Sequence, residues 1–296
     1  LRIEGLERIN ESFGLDVGDK VFNLVAQACQ TVRDEDTMVY RISGNKIALM
    51  NVNGLNARDA QMLYSSLKQK VAEIEYNLDY AVVFTISAGL VAFVNDSSKL
   101  KELLKKADFS LSMGKKSGKN NLYLFNSIEY TQHINKIHIR EKLRESVKND
   151  FKGFEMFYQP VVDAESEKLI GAEALLRWKN DEYGIVPPDH FIPILEKDPL
   201  FFKLGQWILK TAIIGAKELI KLHPDFVINV NLSYTQLEKP DFVDMVLSTL
   251  EETNFPPEHL CLEITERCRL LNMELLKNII VNLRGRGVKI ALDDFG

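Results

Sequence analysis

Residues 19–33 place Val21, Leu24, Val25, Ala28 and Val32 three or four positions apart, the spacing of one helix face. Residues 37–50 then read as two short strands around the turn Ser43-Gly44-Asn45, so a helix feeds a hairpin. A second helix is predicted over residues 57–76, a strand over 81–89 and a third helix over 100–115, the last running into the basic loop KKSGKNN. This mixture predicts an antiparallel sheet with helices packed on it. From 127 to 150 the pattern turns polar, with Ile134, Ile137, Leu143 and Val147 at roughly helical steps, and predicts a connecting helix with a domain boundary near 150.

Beyond that boundary the pattern changes. Apolar runs at 154–162, 170–178, 227–232, 260–264 and 288–292 are interleaved with helical stretches at about 200–223, 241–253 and 273–284. Continuous apolar strands separated by helices predict a parallel α/β sheet or barrel.

The 296 residues, 46% hydrophobic and 27% charged, suit two globular domains and exclude a disordered or stapled mini-protein. Cys29, Cys261 and Cys268 form no CxxC pair, which fits a reducing cytosol. The longest apolar stretch, 80–94, is broken by Thr85, Ser87 and Gly89 and reads as a buried strand instead of a membrane span. Leu1 is not an initiator methionine, so a membrane anchor in an upstream region stays open. The net charge of -5 hides an asymmetry, +2 over residues 1–150 and -7 over residues 151–296. A domain at -7 repels a nucleic-acid polymer, and it accepts a phosphate-bearing ligand only where bound cations reverse the local field.

That condition meets the chemistry of the second half. Four strands carry an oxygen-bearing side chain at or near their ends: Glu173 in GAEALLRW, Asn231 in INVNLS, Glu263 in LCLEIT, and Asp293 with Asp294 in ALDDFG. Their recurrence at strand-helix intervals puts them on one rim, the C-terminal rim where barrel enzymes gather their catalytic groups. A buried carboxylate needs a cation or a metal, and Arg177 is the one basic residue near these ends. Two Glu, one Asn and two Asp without His or Cys form a hard donor set suited to Mg²⁺ or Mn²⁺.

At these residues the chain resembles the EAL domain of cyclic di-GMP phosphodiesterases, through FYQPVVD, GAEALLRW, PPDHFIPILE, VNLS, LEITE and LDDFG in that order. The resemblance covers residues 151–296 and implies a (β/α)8 TIM-like barrel. It also implies that Glu173, Asn231, Glu263, Asp293 and Asp294 bind two divalent ions, that Gln159, Leu175 and Arg177 touch the ligand, and that Glu266 steadies the loop after LDDFG. Because such a barrel takes at least about 200 residues, the barrel is expected to be incomplete in this chain, with both ends as cuts.

Residues 1–126 resemble a GGDEF domain, the fold of diguanylate cyclases, through RISGNKI, TISAG and LLKKADFSLSMGKKSGKN. Arg2, Asn45 and Lys46 stand where that family has carboxylates, which implies a degenerate cyclase with no synthetic activity. Asn10 and Asp19 match the family's guanine contacts. GTP as a regulatory ligand therefore stays open, against a reading in which Asn10 is a helix-turn residue and Asp19 a helix cap. Arg33 and Asp36 read as a surface ion pair. The implied activity is hydrolysis of cyclic di-GMP to the linear dinucleotide. The alternative is a cyclic di-GMP receptor that signals through the helix at 127–150, and a homodimer is expected in either case.

Overall fold

The structure, a computed structural model, describes residues 1–78, 82–93, 95–116, 118, 120–265 and 272–293. The chain forms two compact units, Leu1–Ile134 and Asn135–Gly296.

The first unit runs β1 (Arg2–Glu4), α1 (Leu6–Phe13), α2 (Leu15–Val32), β2 (Thr37–Ser43), β3 (Lys46–Asn51), α3 (Ala57–Asn77), β4 (Thr85–Leu90), α4 (Leu100–Lys116) and β5 (Leu122–Leu124), then enters α5 (Ser127–Lys148). Its sheet has the order β2-β3-β1-β4-β5. Three of the pairings are antiparallel, as expected, whereas β4 and β5 run parallel because α4 crosses between them. Periodicity predicted the long helices but missed β1 and α1, which are only three and eight residues long. Gly14 turns the corner between α1 and α2 at a φ of 91°, a left-handed conformation that glycine adopts without steric cost. The core is the buried face of α2 (Val21, Phe22, Val25) against Ile3, Ile47 and Ile86 of the strands and Tyr64 and Leu67 of α3. Arg33 makes no ion pair with Asp36; its guanidinium donates to the Thr37 carbonyl at 2.7 Å, where it closes the turn from α2 into β2.

Helix α5 is divided between the units. Near its start Tyr130 and His133 pack on Phe109, each with ring centroids 5.2 Å away. Farther along, Leu143 and Val147 are fully buried in the core of the second unit, and Ser146 Oγ accepts the Trp178 indole N–H at 3.1 Å.

The second unit continues with β6 (Phe154–Val162), β7 (Leu169–Asn180), β8 (Gly184–Val186), α6 (Pro188–Leu195), α7 (Phe201–Leu222), β9 (Val227–Leu232), α8 (Tyr234–Leu237), α9 (Phe242–Thr253), β10 (Leu260–Thr265), α10 (Met273–Gly285) and β11 (Lys289–Asp293). The sheet order is β11-β10-β9-β7-β6, with β8 paired to β7. From β7 to β11 the path is parallel, but β6 is antiparallel to β7, since a short turn and not a helix joins them. Among the described residues this is an open sheet.

Strand alternation decides what lies on each face. Ala172, Ala174, Ile228, Val230, Leu262 and Ile264 point into a core built with Ala212, Ile213, Val246, Leu250, Ile279 and Leu283 of the helices. Glu173, Asn229, Asn231 and Glu263 are the intervening residues and lie on the opposite face. At Gly171 an added Cβ would stand 2.5 Å from the Val227 carbonyl oxygen, so this glycine lets β7 and β9 approach.

Candidate active site

The pairing register brings the predicted acidic residues together. Glu173 sits opposite Asn229, Asn231 opposite Glu263, Glu263 opposite Ala291, and Asp293 two positions beyond Ala291 opposite Thr265. Four of the five expected metal ligands thus share one sheet face, with Asn231, Glu263 and Asp293 in the C-terminal halves of β9, β10 and β11, whereas Glu173 is the fifth of twelve residues in β7 instead of a strand-end residue. Asp294 and Glu266 lie outside the described residues.

Amides hold two of the carboxylates. Asn231 Nδ2 donates to Glu173 Oε1 at 2.6 Å, and Asn229 Nδ2 donates to Glu263 Oε1 at 2.8 Å. Asn229 went unnoticed in the sequence, although its two-residue spacing from Asn231 in INVNLS places both on one strand face. Burial pushes the Glu263 carboxyl up from its ordinary range; the charges of Glu173 and Asp293 push it further, and the Asn229 amide partly offsets them.

Among the described residues, none of the ion pairs reaches Glu173, Glu263 or Asp293, and no three His, Cys, Asp or Glu side chains close into a metal-ready cluster. The donor chemistry nevertheless fits a hard divalent cation. Three carboxylates and an amide share a face and make no ion pair among the described residues, and the repulsion of Glu173 and Asp293 is registered at Glu263.

The expected ligand contacts lie on the same face. Gln159 is exposed on β6 opposite Glu173, and Leu175 is opposite Phe157. Arg177 places its guanidinium 5.6 Å from the Phe157 ring centre and donates to the Leu176 carbonyl at 3.0 Å. The loop after β9 is fixed by Ser233, whose hydroxyl donates to Glu196 Oε1 at 2.5 Å and whose N–H donates to Gln236 Oε1 at 2.9 Å.

The EAL domain family matches residues 140–296, more than half of the chain. The chain belongs to the EAL domain family. Ahead of this EAL domain, residues 1–121 match the family "Diguanylate cyclase, GGDEF domain". The chain is 28% identical to the cyclic di-GMP phosphodiesterase NbdA of Pseudomonas aeruginosa over 297 aligned positions, covering 100% of this chain and 38% of that protein. It is 29% identical to the bifunctional diguanylate cyclase/cyclic di-GMP phosphodiesterase MucR of the same species, covering 99% of this chain and 43% of that protein. The chain therefore spans less than half the length of these relatives. Among solved structures, the PaMucR phosphodiesterase in complex with c-di-GMP is 34% identical, with a TM-score of 0.51 over 54% of this chain and 64% of that one. The EAL enzyme Bd1971 shares the fold at 24% identity, with a TM-score of 0.53 over 84% of this chain and 56% of that one.

In the GGDEF domain, Asn10 and Asp19 are the two residues expected by resemblance to contact guanine. Asn10 Oδ1 is buried without a hydrogen-bond partner among the described residues, against α2 at Gly18, where a Cβ would lie 1.7 Å away. Asp19 is exposed inside α2 and caps nothing.

Proposed function

We propose that the EAL domain carries out metal-dependent hydrolysis of cyclic di-GMP to the linear dinucleotide pGpG. The observation that carries this reading is the gathering of Glu173, Asn231, Glu263 and Asp293 on one face, where no ion pair among the described residues reaches any of the three carboxylates. Glu173, Asn231, Glu263 and Asp293, with Asp294, would hold two Mg²⁺ or Mn²⁺ ions. When bound, such ions supply Lewis acidity to the phosphodiester and lower the pKa of the attacking water. Arg177 offers a bidentate guanidinium to a phosphate oxygen. Leu175 and Phe157 give a base an apolar surface, and Gln159 offers it an amide. The named activities of NbdA and MucR support the same substrate.

The GGDEF domain is proposed to make no cyclic di-GMP, because Arg2, Asn45 and Lys46 stand where carboxylates would hold metal. Its role is regulation of the EAL domain, with GTP as the candidate ligand, in a homodimeric cytoplasmic protein. Turnover of cyclic di-GMP by a protein carrying this chain, measured with Mn²⁺ and again with EDTA, tests the main reading. Linear product that appears with Mn²⁺ and vanishes with EDTA supports it. Tight binding without turnover makes the protein a receptor instead.

A further inference from the structure

Asn231 is exposed one residue before the end of β9, so its aim depends on how the chain leaves the strand. Side-chain contacts fasten that exit. Ser233 Oγ donates to Glu196 Oε1 at 2.5 Å, across 37 residues of sequence. The Ser233 N–H donates to Gln236 Oε1 at 2.9 Å, and the Gln236 N–H donates back to the Ser233 carbonyl at 3.0 Å. Gln236 is buried against α7 at Gly205, where a Cβ would lie 1.9 Å from its Nε2. The bonds with Gln236 close within one turn and set the shape of the loop. The bond to Glu196 crosses to another element and sets its position.

The anchor is itself held. Glu196 closes α6, its N–H donating to the Ile192 carbonyl at 2.9 Å. Two residues on, the buried Asp198 carboxylate pairs with Arg144 of α5 at 2.6 Å and accepts the Leu200 N–H at 3.1 Å where α7 begins. The turn between α6 and α7 is thereby tied on both sides of Glu196. A carboxylate on a backbone fixed in this way can direct a hydroxyl, whereas one on a loose loop would follow it.

We propose that Glu196 is a positioning residue for the metal site, which fixes the exit of β9 through Ser233 and so aims Asn231. The proposal rests on the reading of Asn231 as a metal ligand. Glu196 then belongs with the outer residues whose loss weakens metal binding by about 10- to 100-fold although they do not ligate the ion. What it supplies to Ser233 is an acceptor oxygen at a given reach, so an amide oxygen of the same reach should serve in its place.

Calorimetric titration of Mn²⁺ into a protein carrying this chain, without substrate, reads this directly. Glu196→Ala is expected to raise the Kd for Mn²⁺ at least about tenfold, and Glu196→Gln to bind the ion as the wild type does. In turnover of cyclic di-GMP, Glu196→Ala should lower kcat at limiting Mn²⁺ with KM for the dinucleotide unchanged, and saturating Mn²⁺ should restore the rate. A second measurement covers the case in which a variant folds poorly. In EDTA, urea denaturation of Glu196→Ala, Ser233→Ala and the double variant should show the double losing less stability than the sum of the singles, because each single change breaks the same bond. Unchanged Mn²⁺ affinity in Glu196→Ala, an equal loss in Glu196→Gln, or strictly additive stabilities overturns the proposal. Failure of the wild type to bind Mn²⁺ overturns the metal-site reading, and the proposal with it.

Discussion

Asn231 and Glu173 are 58 residues apart in the chain, yet the amide of one donates to the carboxylate of the other at 2.6 Å. The contact joins two adjacent parallel strands, from near the end of β9 to the interior of β7, and ties a hydrogen-bond donor to an acid that has no ion-pair partner among the described residues. Because both residues are surface-accessible on the open sheet face, Glu173→Gln and Asn231→Ala are expected to leave far-ultraviolet circular dichroism unchanged. Turnover of cyclic di-GMP should fall at least about 100-fold in each, the scale on which loss of a preorganised electrostatic group is felt. Retention of more than a tenth of the wild-type rate in either variant would remove that residue from the metal site.

Glu263 gives a stability test with a definite sign. Its carboxyl is raised by burial first and by Glu173 and Asp293 second. For an acid raised in the folded state, the stabilising contribution is present below the ordinary carboxylate pKa and is lost as pH climbs through the raised value. In EDTA, Glu263→Gln should therefore match the wild-type Tm near pH 4 and exceed it increasingly towards pH 7. Adding Mn²⁺ should reverse the order at pH 7, since the ion stabilises only the charged site. Parallel melting curves across pH would expose the error if the variant tracked the wild type throughout.

The end of α5 belongs energetically to the EAL domain. Leu143 and Val147 are fully buried there, beside Trp178 and Phe191. Leu143→Ala should cost roughly 2–5 kcal/mol, the range for deleting a buried leucine. An exposed change on the same helix, Glu141→Ala, should cost under about 0.5 kcal/mol. Urea denaturation followed by tryptophan fluorescence reads the difference at Trp178, which the affected core encloses. Equal midpoints for the two variants would mean that α5 does not dock as described.

Cys29 is fully buried on α2, and burial pushes its thiol up to about 11. Cys261 is also buried and raised, by desolvation first and by Glu263 next. Thiolate is the reactive form. Labelling at pH 8 should therefore be slow at both positions in the native protein and fast after unfolding in urea, as mass spectrometry of the labelled peptides would report. Rapid native labelling of Cys29 would show that the first core opens.

The long elements were legible in the sequence because they carry enough periods to stand out. The helices α2, α3, α7, α9 and α10 and the strands β6, β7, β9, β10 and β11 fall close to the apolar spacings that predict them, whereas the three-residue β8 was not predicted. So was the candidate chemistry, since an acidic or amide residue at the end of an apolar strand is a local anomaly that needs no partner to be seen. Strand direction was not legible. Nothing in the residues 154–162 distinguishes a strand antiparallel to its neighbour from a parallel one, because direction is set by the connection. The short β1 and α1 were missed because three and eight residues hold too little of any period.

Pairing was decided by the tertiary structure alone. In sequence, Arg2 and Lys46 are two cations far apart in the chain; in the sheet they are cross-strand partners that line one cleft. Asn229 is an ordinary polar residue in the sequence and the hydrogen-bond partner of Glu263 in the fold. Composition and spacing are local properties that the chain carries before it folds, and they determined which residues could do chemistry. Register and proximity exist only after backbone hydrogen bonds align strands that are distant in the chain, so only folding decided which of those residues act together.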